Sequence, residues 1–214
     1  MDLLHTAHVP PGDGPFPTVV ALHGWGASAH DLLGLAPLFT GILVLCPQGK
    51  IELEIGPGTV GYGWFPMVPG QPPDPRAFLR ASRQLRTFVD QAGERYPVDR
   101  RRLVILGFSQ GAVMGYELAL RRPERFRGLI ALSSWLPDVL ASNLPQKEEQ
   151  QGFPVLVVHG TEDQQIEVDR ARESRRTLER FGVDLTYREL AMGHEIRPEA
   201  LRVIADWLRA NVLG

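Results

Sequence analysis

Short apolar runs most constrain what this 214-residue chain can fold into. They are rich in Val, Ile and Leu, and most lack polar alternation, which is typical of strands buried on both faces of a sheet. The runs cover residues 18–23, 42–47, 102–108, 128–134 and 155–160. A further run, residues 183–190, alternates polar and apolar residues, so we expect it nearer an edge.

Helical patterns separate these runs. They cover residues 75–95, 110–121, 167–181 and 198–212. The last of them opens with Pro198, a residue favoured at the first helical position. Strands that alternate with helices predict an α/β fold with a mostly parallel central sheet and helices on both faces. The length suits one domain, residues 1–214.

Composition and charge argue against several classes of protein. The net charge of −2 offers no electrostatic surface for nucleic acid, and no window approaches 18 uninterrupted apolar residues, so we expect no stable membrane insertion. The lone cysteine, Cys46, cannot form an internal disulfide and is interpreted as a buried strand residue. The first residues lack the basic and apolar regions of a signal peptide, so we expect a cytoplasmic location.

A Gly-Phe-Ser-Gln-Gly pentapeptide at residues 107–111 joins a predicted strand to a predicted helix. The pentapeptide alone is weak evidence, but this context is that of a nucleophilic serine on a strained strand-to-helix turn. Side chains at Gly107 and Gly111 would collide there. The turn would project Ser109 above the carboxyl ends of the strands, at a helix N-terminus that favours negative charge. We therefore predict that Ser109 is a nucleophile.

A serine nucleophile needs a base and an acid that orients the base, in the chain order Ser, Asp or Glu, His. Glu162 and Asp163 follow a buried strand, and Asp163 is favoured because it lies further past the strand and has the shorter side chain. Glu162 stays open as the alternative. His194 follows the acid in a loop and is the predicted base, whereas His159 ends a strand and is expected to make structural contacts.

The oxyanion of the reaction needs two hydrogen-bond donors. The backbone amide of Gln110, directly after the predicted nucleophile, is one. The second is expected in a loop after an early strand, where Gly24 and Gly26 let the backbone approach a ligand. The amide of Trp25 is the predicted donor, and His23 is expected to brace this loop rather than to ionise in catalysis.

Residues 47–74 look too rich in Gly and Pro for regular structure. They form either a loop packed on the surface or one wall of a binding cleft. The large apolar side chains in this segment are Tyr62, Trp64, Phe65 and Met67. We expect at least one of them to contact substrate above Ser109, alongside Trp25 and Leu136.

Six motifs follow one another along nearly the whole chain: LHGWGAS, GYGWFP, ILGFSQGAVMGYELAL, LSSWLP, VLVVHGTED and MGHEI. In these motifs the chain resembles the phospholipase/carboxylesterase family of α/β-hydrolases, which includes the acyl-protein thioesterases. The resemblance implies an α/β-hydrolase fold without a separate lid domain, and no metal or organic cofactor. It implies a triad of Ser109, Asp163 and His194, with the amides of Trp25 and Gln110 as the oxyanion hole.

The resemblance also implies a function. The expected enzyme is a carboxylesterase that cleaves small-molecule esters of short to medium acyl chain through an acyl-enzyme intermediate, as a monomer or homodimer. The alternatives are an acyl-protein thioesterase or lysophospholipase, and a non-catalytic binding protein on the same scaffold. Two departures lie on the substrate side: Pro66 stands where the family often has Asp, and Ala27 replaces the acid of its H-G-x-G-D loop.

Overall fold

The computed structural model describes residues 2–68, 71–145 and 148–213. The strands are β1 (His5–His8), β2 (Phe16–Leu22), β3 (Leu43–Pro47), β4 (Ile51–Gly56), β5 (Thr59–Gly63), β6 (Val98–Phe108), β7 (Gly128–Leu132), β8 (Pro154–Gly160) and β9 (Asp184–Leu190). The α-helices are α1 (Pro75–Arg95), α2 (Gln110–Arg121), α3 (Asp138–Asn143), α4 (Val168–Phe181) and α5 (Pro198–Leu208). Short 3₁₀ turns lie at Leu33–Leu38, Pro123–Arg125 and Glu148–Gln150, and a π-helical turn, Arg209–Leu213, follows α5.

A seven-stranded sheet organises the fold, in the order β1-β3-β2-β6-β7-β8-β9. Only β1 is antiparallel to its neighbour within this sheet, and the other pairs are parallel. The mostly parallel sheet predicted from the sequence is therefore confirmed. The alternating run forms β9 at the edge of the sheet, also as predicted.

Helices cover both faces of the sheet, because each strand presents apolar side chains in both directions. On one face Leu22 and Ile105 pack with Leu85 of α1 and Leu178 of α4 in one buried cluster. On the other face a second cluster packs sheet residues such as Leu106 against α5 and the first 3₁₀ turn. The carboxyl ends of the parallel strands meet at one edge, which is where the predicted site residues lie.

The segment 47–74 contains regular structure, contrary to the prediction from its Gly and Pro content. Strands β4 and β5 form an antiparallel hairpin over residues 51–63. The Gly-Pro-Gly sequence at 56–58 makes the connecting turn, in which Gly58 has a φ of 69°. The glycines therefore serve the turn between two short strands, and do not break the regular structure on either side of it.

Candidate active site

The turn between β6 and α2 holds Ser109 in a strained backbone conformation, with φ 54° and ψ −120°. Positive φ is uncommon for a residue with a Cβ and costs free energy that the surroundings must offset. A Cβ on Gly107 would lie 2.4 Å from the backbone of Ala112, and one on Gly111 would lie 2.0 Å from the carbonyl oxygen of Leu22. Only glycine at both flanks lets the turn close this tightly.

Hydrogen bonds from the end of β7 hold this turn in place. The N–H of Ser109 donates to the carbonyl of Leu132 at 2.9 Å. The carbonyl of Ser109 accepts a hydrogen bond from Oγ of Ser134 at 2.8 Å. Ser109 is 8% exposed, so its side chain reaches the surface only through a small opening. The strained residue is thus anchored on both sides of its Cα.

A carboxylate and an imidazole meet beside this turn. Nδ1 of His194 lies 2.8 Å from Oδ2 of Asp163. The other oxygen of Asp163 accepts hydrogen bonds from the amides of Gln165 and Ile166, both at 2.9 Å. The ring of His194 packs against that of Phe108, the residue before Ser109, with a centroid distance of 4.9 Å. The Asp163 contact leaves Nε2 of His194 available for a proton transfer.

The neighbouring acid, Glu162, points elsewhere. Its side chain is exposed, while its backbone amide donates to the carbonyl of Met192. The Asp163 carboxylate, by contrast, is fully buried. Of the two acids that the sequence left open, the structure pairs only Asp163 with the imidazole of His194.

A second histidine, His159, contacts the loop after β8 that carries Asp163. Its Nε2–H donates to the carbonyl of Ile166 at 2.8 Å, and the same nitrogen lies 3.6 Å from Oδ2 of Asp163. Burial lowers the pKa of His159, since desolvation disfavours the imidazolium. A neutral His159 therefore acts as a hydrogen-bond donor that fixes the loop carrying Asp163.

The loop after β2 lies against the strained turn. A Cβ on Gly24 would come within 3.3 Å of Cβ of Ser109. His23 donates from Nδ1 to the carbonyl of Gly24 at 2.8 Å and accepts at Nε2 from the amide of Gly49 at 3.0 Å. Burial lowers the pKa of His23, which keeps the imidazole neutral in this tautomer. The histidine braces the loop through both ring nitrogens.

Two backbone amides beside Ser109 are without acceptors in the part of the chain that the structure describes: those of Trp25 and Gln110. The Gln110 side chain is buried, and it accepts from the amide of Trp64 at 2.8 Å and donates to the carbonyl of Phe65 at 2.7 Å. Its side chain thereby fixes the backbone that carries its own amide. This role of the side chain was missed from the sequence, where only the amide was considered.

The β4–β5 hairpin holds the Trp25 loop from above. The backbone carbonyl of Tyr62 accepts a hydrogen bond from the amide of Gly26 at 2.9 Å, and the backbone amide of Tyr62 donates to the carbonyl of Ala27 at 2.8 Å. A Cβ on Gly63 would lie 2.5 Å from the indole of Trp25, so the ring lies flush on the strand. The hairpin therefore sets both the backbone and the side chain of Trp25.

Trp25 is one of the residues that line a groove of about 830 Å³. Phe65 and Met67 from the segment after β5 line it, as does Pro66, the departure from the family pattern. Other lining residues were not predicted from the sequence; they lie in the loops after β7 and β8 and in α4. They include Trp135, Ile166 and Arg170.

Three residues predicted to contact substrate are not among those that line this groove. The backbone of Tyr62 pairs with the Trp25 loop. The ring of Trp64 is 5% exposed, lies 4.8 Å from that of His23, and donates its indole N–H to the carbonyl of His23. Leu136 is buried and donates its amide to Oγ of Ser174. Trp64 and Leu136 are buried by packing, which residue type alone does not predict.

Side chains that could ligate a metal ion are not clustered among the described residues. Within residues 2–68, 71–145 and 148–213, no group of three or more His, Cys, Asp or Glu is arranged to hold a metal ion. In the same ranges, no helix has the length and apolar character needed to cross a membrane.

The chain is similar in sequence and in structure to several known proteins. The chain is 26% identical over 163 residues to a probable carboxylesterase SOBER1-like of Arabidopsis thaliana, covering 72% of this chain but only 61% of that protein. It is 24% identical over 201 residues to acyl-protein thioesterase 1 of Gibberella zeae, covering 89% and 85% of the two chains. The crystal structure of the Bacillus cereus carboxylesterase superposes with a TM-score of 0.83 at 21% identity, covering 98% of this chain and 95% of that one.

The sequence model of the phospholipase/carboxylesterase family matches residues 5–212. The match spans nearly the whole chain, and the structural similarity confirms the α/β-hydrolase fold expected from the sequence. This chain therefore belongs to the phospholipase/carboxylesterase family.

Proposed function

We propose that this chain is a carboxylesterase, a serine hydrolase that cleaves carboxylic esters through an acyl-enzyme intermediate. The observation that carries the proposal is the 2.8 Å contact between His194 and Asp163 beside the strained turn at Ser109. Family membership supports it, as does the similarity to a probable carboxylesterase of Arabidopsis thaliana. The catalytic groups are Ser109, His194 and Asp163.

In the first half of the reaction, Oγ of Ser109 attacks the ester carbonyl carbon while Nε2 of His194 takes its proton. The amides of Trp25 and Gln110 stabilise the negative charge on the carbonyl oxygen. The tetrahedral intermediate then collapses, the bond to the leaving alkoxide breaks, and His194 protonates the departing alcohol. The acyl group is left on Ser109.

In the second half, His194 removes a proton from a water molecule as the water attacks the acyl carbon. The bond to Oγ of Ser109 breaks, and the serine recovers its proton from His194. The carboxylic acid leaves. Asp163 stays ionised throughout, holds the Nδ1–H tautomer of the imidazole and stabilises the imidazolium that forms in each half.

The groove supports a substrate with an acyl chain of short to medium length. Phe65 and Met67 offer an apolar wall next to Trp25, and Ile166 and Trp135 line the same groove. Each buried methylene contributes about 0.8 kcal/mol at most, which is about fourfold in kcat/KM. We expect kcat/KM to rise over a few carbons and to stop rising where the wall ends.

Thioester hydrolysis is the second candidate. The similarity to acyl-protein thioesterase 1 of Gibberella zeae favours it, because the match covers 85% of that protein. Both reactions would use the same nucleophile, base and oxyanion donors. They differ in the leaving group, so their relative rates depend on the groove and not on the triad.

A series of p-nitrophenyl esters of increasing acyl length, run beside acyl thioesters of matched length, tests the proposal. Ser109→Ala is the matched control for background hydrolysis. We expect ester hydrolysis far above this control, with a maximum at short to medium chains. Activity no higher than that of Ser109→Ala on every ester and thioester would overturn the proposal, and a strong preference for thioesters would favour the second candidate.

A further inference from the structure

An arginine is held over the wall of the groove. Arg170 lies in the first turn of α4, shortly after the loop that carries Asp163. Its guanidinium carbon is 4.9 Å from the ring centroid of Trp135, a cation–π distance. Trp135 is 9% exposed and is therefore a fixed platform. Both residues line the same groove as Trp25.

The charge of Arg170 is not neutralised by a neighbour. Within the described ranges its guanidinium forms no ion pair and no hydrogen bond. Two other arginines of α4 are paired: Arg172 contacts Asp169 and Glu189, and Arg175 contacts Glu179. A guanidinium has five N–H donors in a planar fork, which matches the two oxygens of a carboxylate. The N–H donors of Arg170 therefore remain available to a ligand in the groove.

The rest of the lining is mostly apolar. Apolar side chains, including Phe65 and Ile166, lie on the same groove as Trp25. One carboxylate, that of Asp138 at the start of α3, is also on the lining, but the structure records no ion pair between it and Arg170. The groove thus combines Trp25, which carries a predicted oxyanion donor, with an apolar wall and a cation stacked on an aromatic ring.

We infer that Arg170, stacked on Trp135, binds an anionic group of the substrate, so that the enzyme prefers esters bearing a carboxylate over neutral esters of the same length. This inference rests on the proposed function, because it treats the groove beside Trp25 as the substrate site. Arg170 is a specificity-determining residue in this account and takes no part in the chemical steps.

The anion can belong to either part of the ester. In the acyl part it would be the free carboxylate of a dicarboxylic monoester, and in the alcohol part that of an esterified hydroxy acid. The first arm of the test therefore compares p-nitrophenyl monoesters of dicarboxylic acids with neutral p-nitrophenyl esters of equal length. The second arm compares acetyl esters of hydroxy acids with acetyl esters of the matching alcohols, followed by proton release.

The variants are Arg170→Gln, Arg170→Lys and the control Arg176→Gln. Arg176 is exposed on the same helix, does not line the groove and has no recorded ion pair in the described ranges, so its replacement removes the same charge from a different face. The measured quantity is the ratio of kcat/KM for the anionic ester to that for its neutral partner. This ratio cancels losses common to both substrates.

We expect the wild-type ratio of kcat/KM to exceed one in at least one arm. The substrate length at which the ratio is largest should correspond to the distance from the reacting carbonyl to Arg170. Arg170→Gln should lower the ratio on the order of tenfold to a hundredfold, the range for a lost charge-assisted hydrogen bond. Arg170→Lys should keep part of the preference for the anionic ester, because lysine keeps the positive charge but lacks the planar, two-pronged guanidinium. Arg176→Gln should leave it unchanged. Salt should lower the wild-type ratio, since the contact is partly exposed.

A wild-type preference for neutral esters in both arms would overturn the inference while leaving the proposed function intact. Equal ratios in Arg170→Gln and Arg176→Gln would also overturn it, because the preference would then come from general charge. Asp138→Asn should raise the ratio by removing repulsion, and a fall as large as that in Arg170→Gln would contradict the account. No hydrolysis of either the anionic or the neutral esters above the Ser109→Ala background would reject the proposed function and this inference together.

Discussion

Replacing Gly111 with alanine tests whether the close approach of α2 to β2 positions the nucleophile. A Cβ at this position would lie 2.0 Å from the carbonyl oxygen of Leu22 and 2.6 Å from that of His23. Both contacts are with backbone, so no side-chain rotation relieves them. The start of α2 must move away from β2 by more than 1 Å before the contact with Leu22 becomes ordinary.

Two opposing contributions set the change in the free energy of unfolding of Gly111→Ala. Alanine gains about 1 kcal/mol over glycine in a helix. Overpacking against a rigid neighbour costs about 1–3 kcal/mol, and more where backbone must shift. The movement also displaces Ser109, two residues earlier, and a misplacement of about 1 Å lowers kcat on the order of a hundredfold. We expect Gly111→Ala to lower kcat about a hundredfold and to lower the free energy of unfolding.

Gly115→Ala is the matched control, because it lies one turn later on α2 and its Cβ would meet side chains, Leu129 at 3.0 Å and Ile105 at 3.2 Å. Those side chains can adjust, so the control should keep kcat and change stability little. Urea denaturation and steady-state hydrolysis of a p-nitrophenyl ester measure the two quantities. If Gly111→Ala equals Gly115→Ala in both, the close approach does not position Ser109 and the reasoning is refuted.

Further predictions concern the acid, the groove and a buried histidine. Asp163→Asn should lower kcat on the order of 10⁴-fold by leaving the imidazole in the wrong tautomer, whereas Glu162→Gln should change it little, both measured by steady-state kinetics. Met67→Ala should raise KM for longer acyl chains more than it lowers kcat, whereas Trp64→Phe should lower the urea midpoint without changing the chain-length preference. Because burial lowers the pKa of His159 below its ordinary 6.5, the folded state binds fewer protons than the unfolded chain below that pH. Stability should therefore fall as the pH drops below about 6.5, and His159→Gln should weaken this dependence in urea titrations at about pH 5.5 and about pH 7.5.

Each of these predictions has an outcome that contradicts it. A larger loss of kcat in Glu162→Gln than in Asp163→Asn would show that Glu162, and not Asp163, orients the imidazole. A chain-length profile that changes in Trp64→Phe but not in Met67→Ala would reverse the roles of these two side chains. An unchanged pH dependence of stability in His159→Gln would show that other groups cause it.

The six longer parallel strands of the large sheet and the four longest helices could be predicted because their signals are local. The apolar runs at 18–23 and 102–108 mark β2 and β6, and the glycines around Ser109 mark a turn that only they permit. Chain order then limits the acid and base to the loops after β8 and β9. The fold and the family expected from these signals are confirmed.

The walls of the groove could not be predicted in the same way, because they depend on which side of each loop faces inward. Trp64 and Met67 are close in sequence, yet the first packs on His23 and the second lines the groove. Arg170 looked like any other charge on an exposed helix, and only its position over Trp135 sets it apart. The hairpin at 51–63 was missed because its turn glycines dominate the composition of a segment with two short strands.

Labelling with a fluorophosphonate probe, followed by intact mass and peptide mapping, tests the central claim most directly. The claim is that Ser109 is the nucleophile, activated by His194. The account predicts one adduct per chain, located on Ser109, with labelling abolished in Ser109→Ala and slowed strongly in Asp163→Asn. Ser109→Ala should also lose kcat by roughly 10⁴–10⁶-fold while remaining folded. An adduct on another residue, such as Ser133 or Ser134, or a Ser109→Ala variant that keeps a tenth of the wild-type activity, would contradict it.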